Sequence, residues 1–121
     1  MSWDVLLLPL PAELTSIDDL PVDHEPPPVG TRSAVHQALR AAVGEVDLTD
    51  PTWGELLGPT WVIELGIGER DPVDSVMLHV RGGEDARGRE DDVLPVIFQI
   101  SRALGCRPFD CSSGELLRDK P

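Results

Sequence analysis

Four residues carry the chemistry this sequence offers most directly: Asp4, Glu64, His79 and Arg81. Each interrupts an apolar run out of phase with its aliphatic neighbours. Asp4 lies between Trp3 and Val5, Glu64 between Ile63 and Leu65, and His79 and Arg81 alternate with Leu78 and Val80. Side chains alternate across a strand, so the four, with Met77, belong to one face of a sheet whose other face is apolar. A carboxylate beside an imidazole beside a guanidinium can bind an anion or move a proton. The same residues also make ordinary cross-strand pairs on a solvated surface, Glu64 with His79 or with Arg81, at roughly 0.2–1 kcal/mol each. The sequence supplies no nucleophile to complete the set. Cys111-Ser112-Ser113 holds a thiol and two hydroxyls with no histidine nearby in sequence, and reads as a strand-to-turn exit.

Other chemistries are weaker. His24, His36 and His79 fall on a loop, a helix face and a strand, and Cys106 and Cys111 have no second pair, so neither a zinc site nor any cofactor is implied. Gly66-Ile67-Gly68 follows a strand as a dinucleotide fingerprint would, but the third glycine is missing and another strand follows where a helix is needed. Gly82-Gly83 could open a backbone nest for an anion, yet Glu84 and Asp85 beside it would repel one. Core packing accounts for Trp3, Trp53 and Trp61 unless one of them stands exposed, in which case it reads as an interface anchor.

The elements that position these residues follow from periodicity. Ser2 to Leu8 is apolar on both faces, as a central strand is. Thr31 caps a helix with its stripe at Val35, Leu39, Ala42 and Val43, closed by Gly44. After a turn-rich Asp47 to Thr52, Trp53–Leu57 and Trp61–Ile67 form a hairpin around Gly58 and Pro59. A turn at Asp71 to Asp74 leads into a strand over Ser75–Arg81. A second helix from about Val93 to Leu104 follows a polar loop, with Glu90, Asp91 and Asp92 at its positive end and Pro95 in its first turn. Gly105 ends it, Arg107–Cys111 is the last strand, and Ser112–Gly114 turns into a short tail. The expected order is βαβββαβ. Two such helices on one face of a mainly antiparallel sheet make a two-layer α+β sandwich of ferredoxin-like type, a single domain over residues 1–121.

The charge is uneven. The chain carries 22 acidic and 10 basic residues for a net charge of -12, and 40% of it is hydrophobic, ample for a core. Residues 1–31 hold six acids, no base and half of the 12 prolines. The stretch 9–30 therefore reads as an acidic, proline-rich segment draped over the domain, pinned by Leu14, Ile17, Leu20 and Val22, with one helical turn at Ser16 to Leu20. Its carboxylates Asp18, Asp19, Asp23 and Glu25 are a candidate partner-contact segment. With this charge, three tryptophans, two phenylalanines and no tyrosine, the chain lacks the cationic stripe and ring platforms that nucleic acid needs. The first base is Arg32 and the apolar run Val5–Leu8 is short, so neither a signal peptide nor a membrane span is expected. Two cysteines five residues apart on one strand would lie roughly 16 Å apart, beyond disulfide reach, which points to a reduced, cytoplasmic protein.

Four segments carry a family likeness: Ser2-Trp3-Asp4-Val5-Leu6, Asp50-Pro51-Thr52-Trp53-Gly54, Met77-Leu78-His79-Val80-Arg81-Gly82-Gly83, the last led in by Asp71-Pro72-Val73-Asp74-Ser75, and Ser112-Ser113-Gly114-Glu115. In them the chain resembles a group of small uncharacterised bacterial single-domain proteins. That resemblance implies one cytoplasmic domain and lends nothing to mechanism. The leading expectation from charge and size is a non-catalytic interaction module, an immunity-type or regulatory inhibitor that occludes a basic protein partner. The alternative is a small-ligand-binding domain or enzyme using the face around Glu64, His79 and Arg81. A third expectation is a homodimer through a sheet edge or the open sheet face.

Overall fold

In chain order the elements are β1 (Trp3–Leu8), a single 3-10 turn (Ile17–Asp19), α1 (Arg32–Ala42), β2 (Asp47–Asp50), β3 (Trp53–Leu57), β4 (Val62–Gly66), β5 (Val76–Arg81), α2 (Glu90–Ala103), β6 (Arg107–Asp110) and β7 (Glu115–Leu116). The computed structural model describes residues 3–11, 13–21, 23, 25, 27–58, 61–81 and 90–117. The protein is α+β, and its described residues form two helices and one seven-stranded antiparallel sheet in the order β2-β3-β4-β5-β1-β6-β7. β1 lies inside the sheet, hydrogen-bonded to β5 on one side and β6 on the other.

Period-2 alternation is strict in β1, β4 and β5. Trp3, Val5 and Leu7, then Ile63 and Leu65, then Val76, Leu78 and Val80 are all buried, while the residues between them are half-buried or exposed. Their inward side chains join Val35 and Leu39 of α1 and Val93, Ile97 and Ile100 of α2 in one cluster. Each such side chain removed from water contributes roughly 1.5–3 kcal/mol, which makes this cluster the main source of stability. Thr31 caps α1, its hydroxyl accepting from the Ala34 N–H at 3.1 Å.

The structure departs from the expected element order in three places. The stretch from Asp47 is a strand, β2, paired with β3 across a bulge between Asp47 and Asp50. Glu115–Leu116 adds a two-residue strand beside β6. The order is therefore βαββββαββ, because pairing to a preformed neighbour makes strands of segments whose own composition favours turns. Thirdly, α2 begins at Glu90, so Pro95 stands inside the helix and beyond its first turn. Gly105, at a φ of +66°, ends the helix as expected.

Along the segment after β1, Leu14, Ile17 and Leu20 are half-buried and Asp18, Asp19, Asp23 and Glu25 are exposed. Val22 lies outside the described residues, as do His24, Pro59 and the Gly82-Gly83 pair. Ser16 caps the 3-10 turn. The segment is tied at both ends: the Arg107 guanidinium donates to the Pro11 carbonyl at 2.7 Å, and Gly30 and Val73 form an antiparallel bridge.

One buried carboxylate belongs to this framework. Asp110 is 4% exposed, and one of its oxygens accepts from the Trp3 indole at 3.0 Å and from the Ser112 N–H and hydroxyl at 2.9 and 2.8 Å. Burial alone would raise its pKa, but these donors and Ser113 outweigh burial and hold it at about 2, against an ordinary 3.8. The folded state thus prefers the ion, so the stabilisation is complete above the ordinary pKa and is lost as pH falls through about 2. Asp110→Asn is expected to lower unfolding free energy at neutral pH by about 2 kcal/mol and to flatten the acid limb of stability. Urea unfolding at a series of pH values checks this; identical acid limbs in the two proteins would remove the carboxylate from the account.

Candidate functional site

The outward face of the sheet is built by register. Asp47 pairs with Glu55, Glu55 with Glu64, Glu64 with His79 and His79 with Asp4, so five polar residues form one row across β2, β3, β4, β5 and β1. A second row, Trp53, Gly66, Met77, Leu6 and Phe109, runs beside it. The four residues singled out from the sequence therefore share one face. Their partners are selective: His79 Nδ1 lies 2.8 Å from Asp4 Oδ1, and the Arg81 guanidinium reaches diagonally to the Glu64 carboxylate. Glu64 is deeply covered, with 16% of its side chain exposed, whereas Arg81 is open to solvent.

Trp53 is the residue whose placement sequence reasoning missed. Core packing is expected of it, yet it is 40% exposed, while Trp3 and Trp61 are buried at 3% and 7%. The reason is cross-strand. Ile63 and Leu65 set the inward face of β4, their partners Leu56 and Gly54 must follow, and Trp53, Glu55 and Leu57 are turned outward. Opposite Trp53 is Gly66, where a Cβ would come within 3.5 Å of the indole. The ring lies across β4 over this glycine and stacks on His79, with centroids 5.5 Å apart and planes 21° apart. Asp4, His79 and Trp53 thus form a continuous string across the face. The one available signal was Gly66 in an otherwise large-residue strand.

The electrostatics of the row are lopsided. Asp47, Glu55 and Glu64 stand directly opposite one another on adjacent strands, an arrangement that destabilises a sheet. Arg81 neutralises Glu64, but among the described residues neither Asp47 nor Glu55 has an ion-pair partner. Hydrogen bonds from the Thr49 hydroxyl and N–H lower the pKa of Asp47, and those from the Thr52 N–H and hydroxyl lower that of Asp50, so both stay ionised.

Two other groups are ill suited to chemistry. Both cysteines are free; burial pushes the Cys106 thiol up to about 12, and desolvation with the Asp4 charge raises that of Cys111, so neither is an activated thiolate. His36 Nε2 lies 2.9 Å from the Pro51 carbonyl, tying α1 to the β2–β3 turn. Among the described residues no three of His, Cys, Asp and Glu converge as a metal ion would require, and no helix is long and apolar enough to cross a membrane. Compared with family models, curated proteins and solved structures, the chain matches none.

The string makes Trp53 a reporter of the face. His79→Ala is expected to release the indole, raising acrylamide quenching and shifting emission to the red, with Trp3 and Trp61 contributing a constant background. Unchanged quenching would show that His79 does not hold the ring.

Proposed function

We propose that the protein is a non-catalytic interaction module that captures a basic protein partner on the outward face of its sheet. The observation that carries this reading is β3, where Trp53 and Leu57, 40% and 64% exposed, flank Glu55 in an acidic row in which, among the described residues, Glu64 has the one arginine partner. An accessible aromatic and an aliphatic anchor ringed by charge are the composition of an interface centre and its rim. Like charges directly opposite one another on adjacent strands are a liability that a bound cation would relieve. The acids Asp18, Asp19, Asp23 and Glu25 add to the field that steers such a partner. An immunity-type or regulatory inhibitor that occludes its target fits this surface.

Self-association through a sheet edge is disfavoured. Both outer strands are short, β2 carries a bulge and two aspartates, and β7 has two residues. The open face is equally unsuited to a second copy at a net charge of -12. A ligand-binding or enzymatic role keeps one supporting observation, the Asp4–His79 hydrogen bond, which orients an imidazole as an acid–base group. An unchanged response of His79→Ala to whatever a metabolite screen returns would dismiss it. The inner strands β6-β1-β5-β4, connected as β-α-β-β-α-β, support reading the fold as an expanded ferredoxin-like sandwich. The free cysteines support a reducing, cytoplasmic location.

The partner is sought by affinity capture from the host's soluble extract at increasing salt, comparing the protein with Trp53→Ala and Glu55→Lys. Basic proteins are expected to be retained at low salt, released as salt rises, and released at lower salt with either variant. Retention indifferent to salt and to both substitutions would overturn the proposal. Glu55→Gln is also expected to stabilise the free protein by about 0.5 kcal/mol in urea unfolding while weakening capture.

A further inference from the structure

The geometry around Trp53 narrows the chemistry of the group it would receive. The indole stacks on His79 and Trp53 is still 40% exposed, so part of the ring is open to a second planar group. Glu55 lies two residues along β3 on the same face, and Asp47, directly opposite it on β2, raises the negative potential at that point.

Resting on the reading above, we infer that the anchor of the partner is an arginine side chain, its guanidinium flat on the open part of the Trp53 ring and its N–H groups donating to Glu55. A planar cation suits this place better than an ammonium. The guanidinium stacks on an indole through its π face and keeps its edge donors free for carboxylates, and it is more weakly hydrated, so less is lost on leaving water. A lysine ammonium could reach the same carboxylate as a point charge but has no flat π face to stack on the ring. Arg81 cannot serve in place of the guest, because it is engaged with Glu64.

The test uses three peptides of equal length, alternating glycine with arginine, with lysine or with citrulline, titrated calorimetrically into the full chain at low salt. The arginine peptide is expected to bind about fivefold tighter than the lysine peptide and to quench the exposed tryptophan. Trp53→Ala should abolish the arginine-over-lysine preference while leaving weak, salt-sensitive binding of both. Glu55→Gln, which leaves the ring in place, should weaken both cationic peptides. Equal affinities for arginine and lysine, or a preference that survives Trp53→Ala, would overturn the arginine assignment and leave the basic-partner reading standing. Cationic peptides that bind no better than citrulline would overturn both.

Discussion

Trp3 and Asp4 are neighbours in sequence and stand on opposite faces of an inner strand, and the two sides of the protein depend on that alternation. Trp3 points inward and donates to Asp110 on β6; Asp4 points outward and holds His79 on β5. Because β1 lies between those two strands, one register carries both bonds. A slip of one residue would send Val5 and Leu7, now fully buried, into solvent and the carboxylate of Asp4 into the core. The cost of that exchange is what keeps the outward string in place, so the core specifies the geometry of a surface it does not touch.

That surface gathers charge of one sign. Sheets usually place opposite charges across from one another, whereas here carboxylates face carboxylates from β2 to β4, and among the described residues one guanidinium answers them. The local hydrogen bonds of Asp47 to Thr49 and of Asp50 to Thr52 do not cancel the charge; they keep it. Asp110 uses the same aspartate-to-hydroxyl turn with Ser112 inside the core, where the ionised form is stabilising. One local motif therefore serves the framework at one position and an unsatisfied surface at two others, and the difference lies in whether an indole N–H completes the set. Proteins accept such local losses chiefly where binding recovers them.

Much of the architecture was legible in short-range pattern. The alternation of Ile63 and Leu65 and of Val76, Leu78 and Val80, the stripe Val35–Leu39 and the cap at Thr31 each follow from a period or a donor count over a few residues. β2 and β7 were not legible: Asp47-Leu48-Thr49-Asp50 and Glu115-Leu116 have little strand propensity and become strands by pairing with β3 and β6. The start of α2 was misplaced because Pro95 and the acids before it resemble a first turn when read alone.

The candidate site divides the same way. That Asp4, Glu64, Met77, His79 and Arg81 share a face was determined by the sequence alone, since face membership depends on counting by twos from a buried residue on the same strand. Which of them pair, Asp4 with His79 and Glu64 with Arg81, was decided only by the tertiary structure, because it depends on β1 and β4 flanking β5 at one register. The same holds for Trp53: its own strand puts Trp53 and Leu57 on one face and only Leu56 with Gly54 on the other, so alternation alone favours an inward indole, and only pairing with Ile63 and Leu65 turns it outward. Alternation is local and survives in the sequence, whereas strand order and register are set by the burial of residues far apart in the chain.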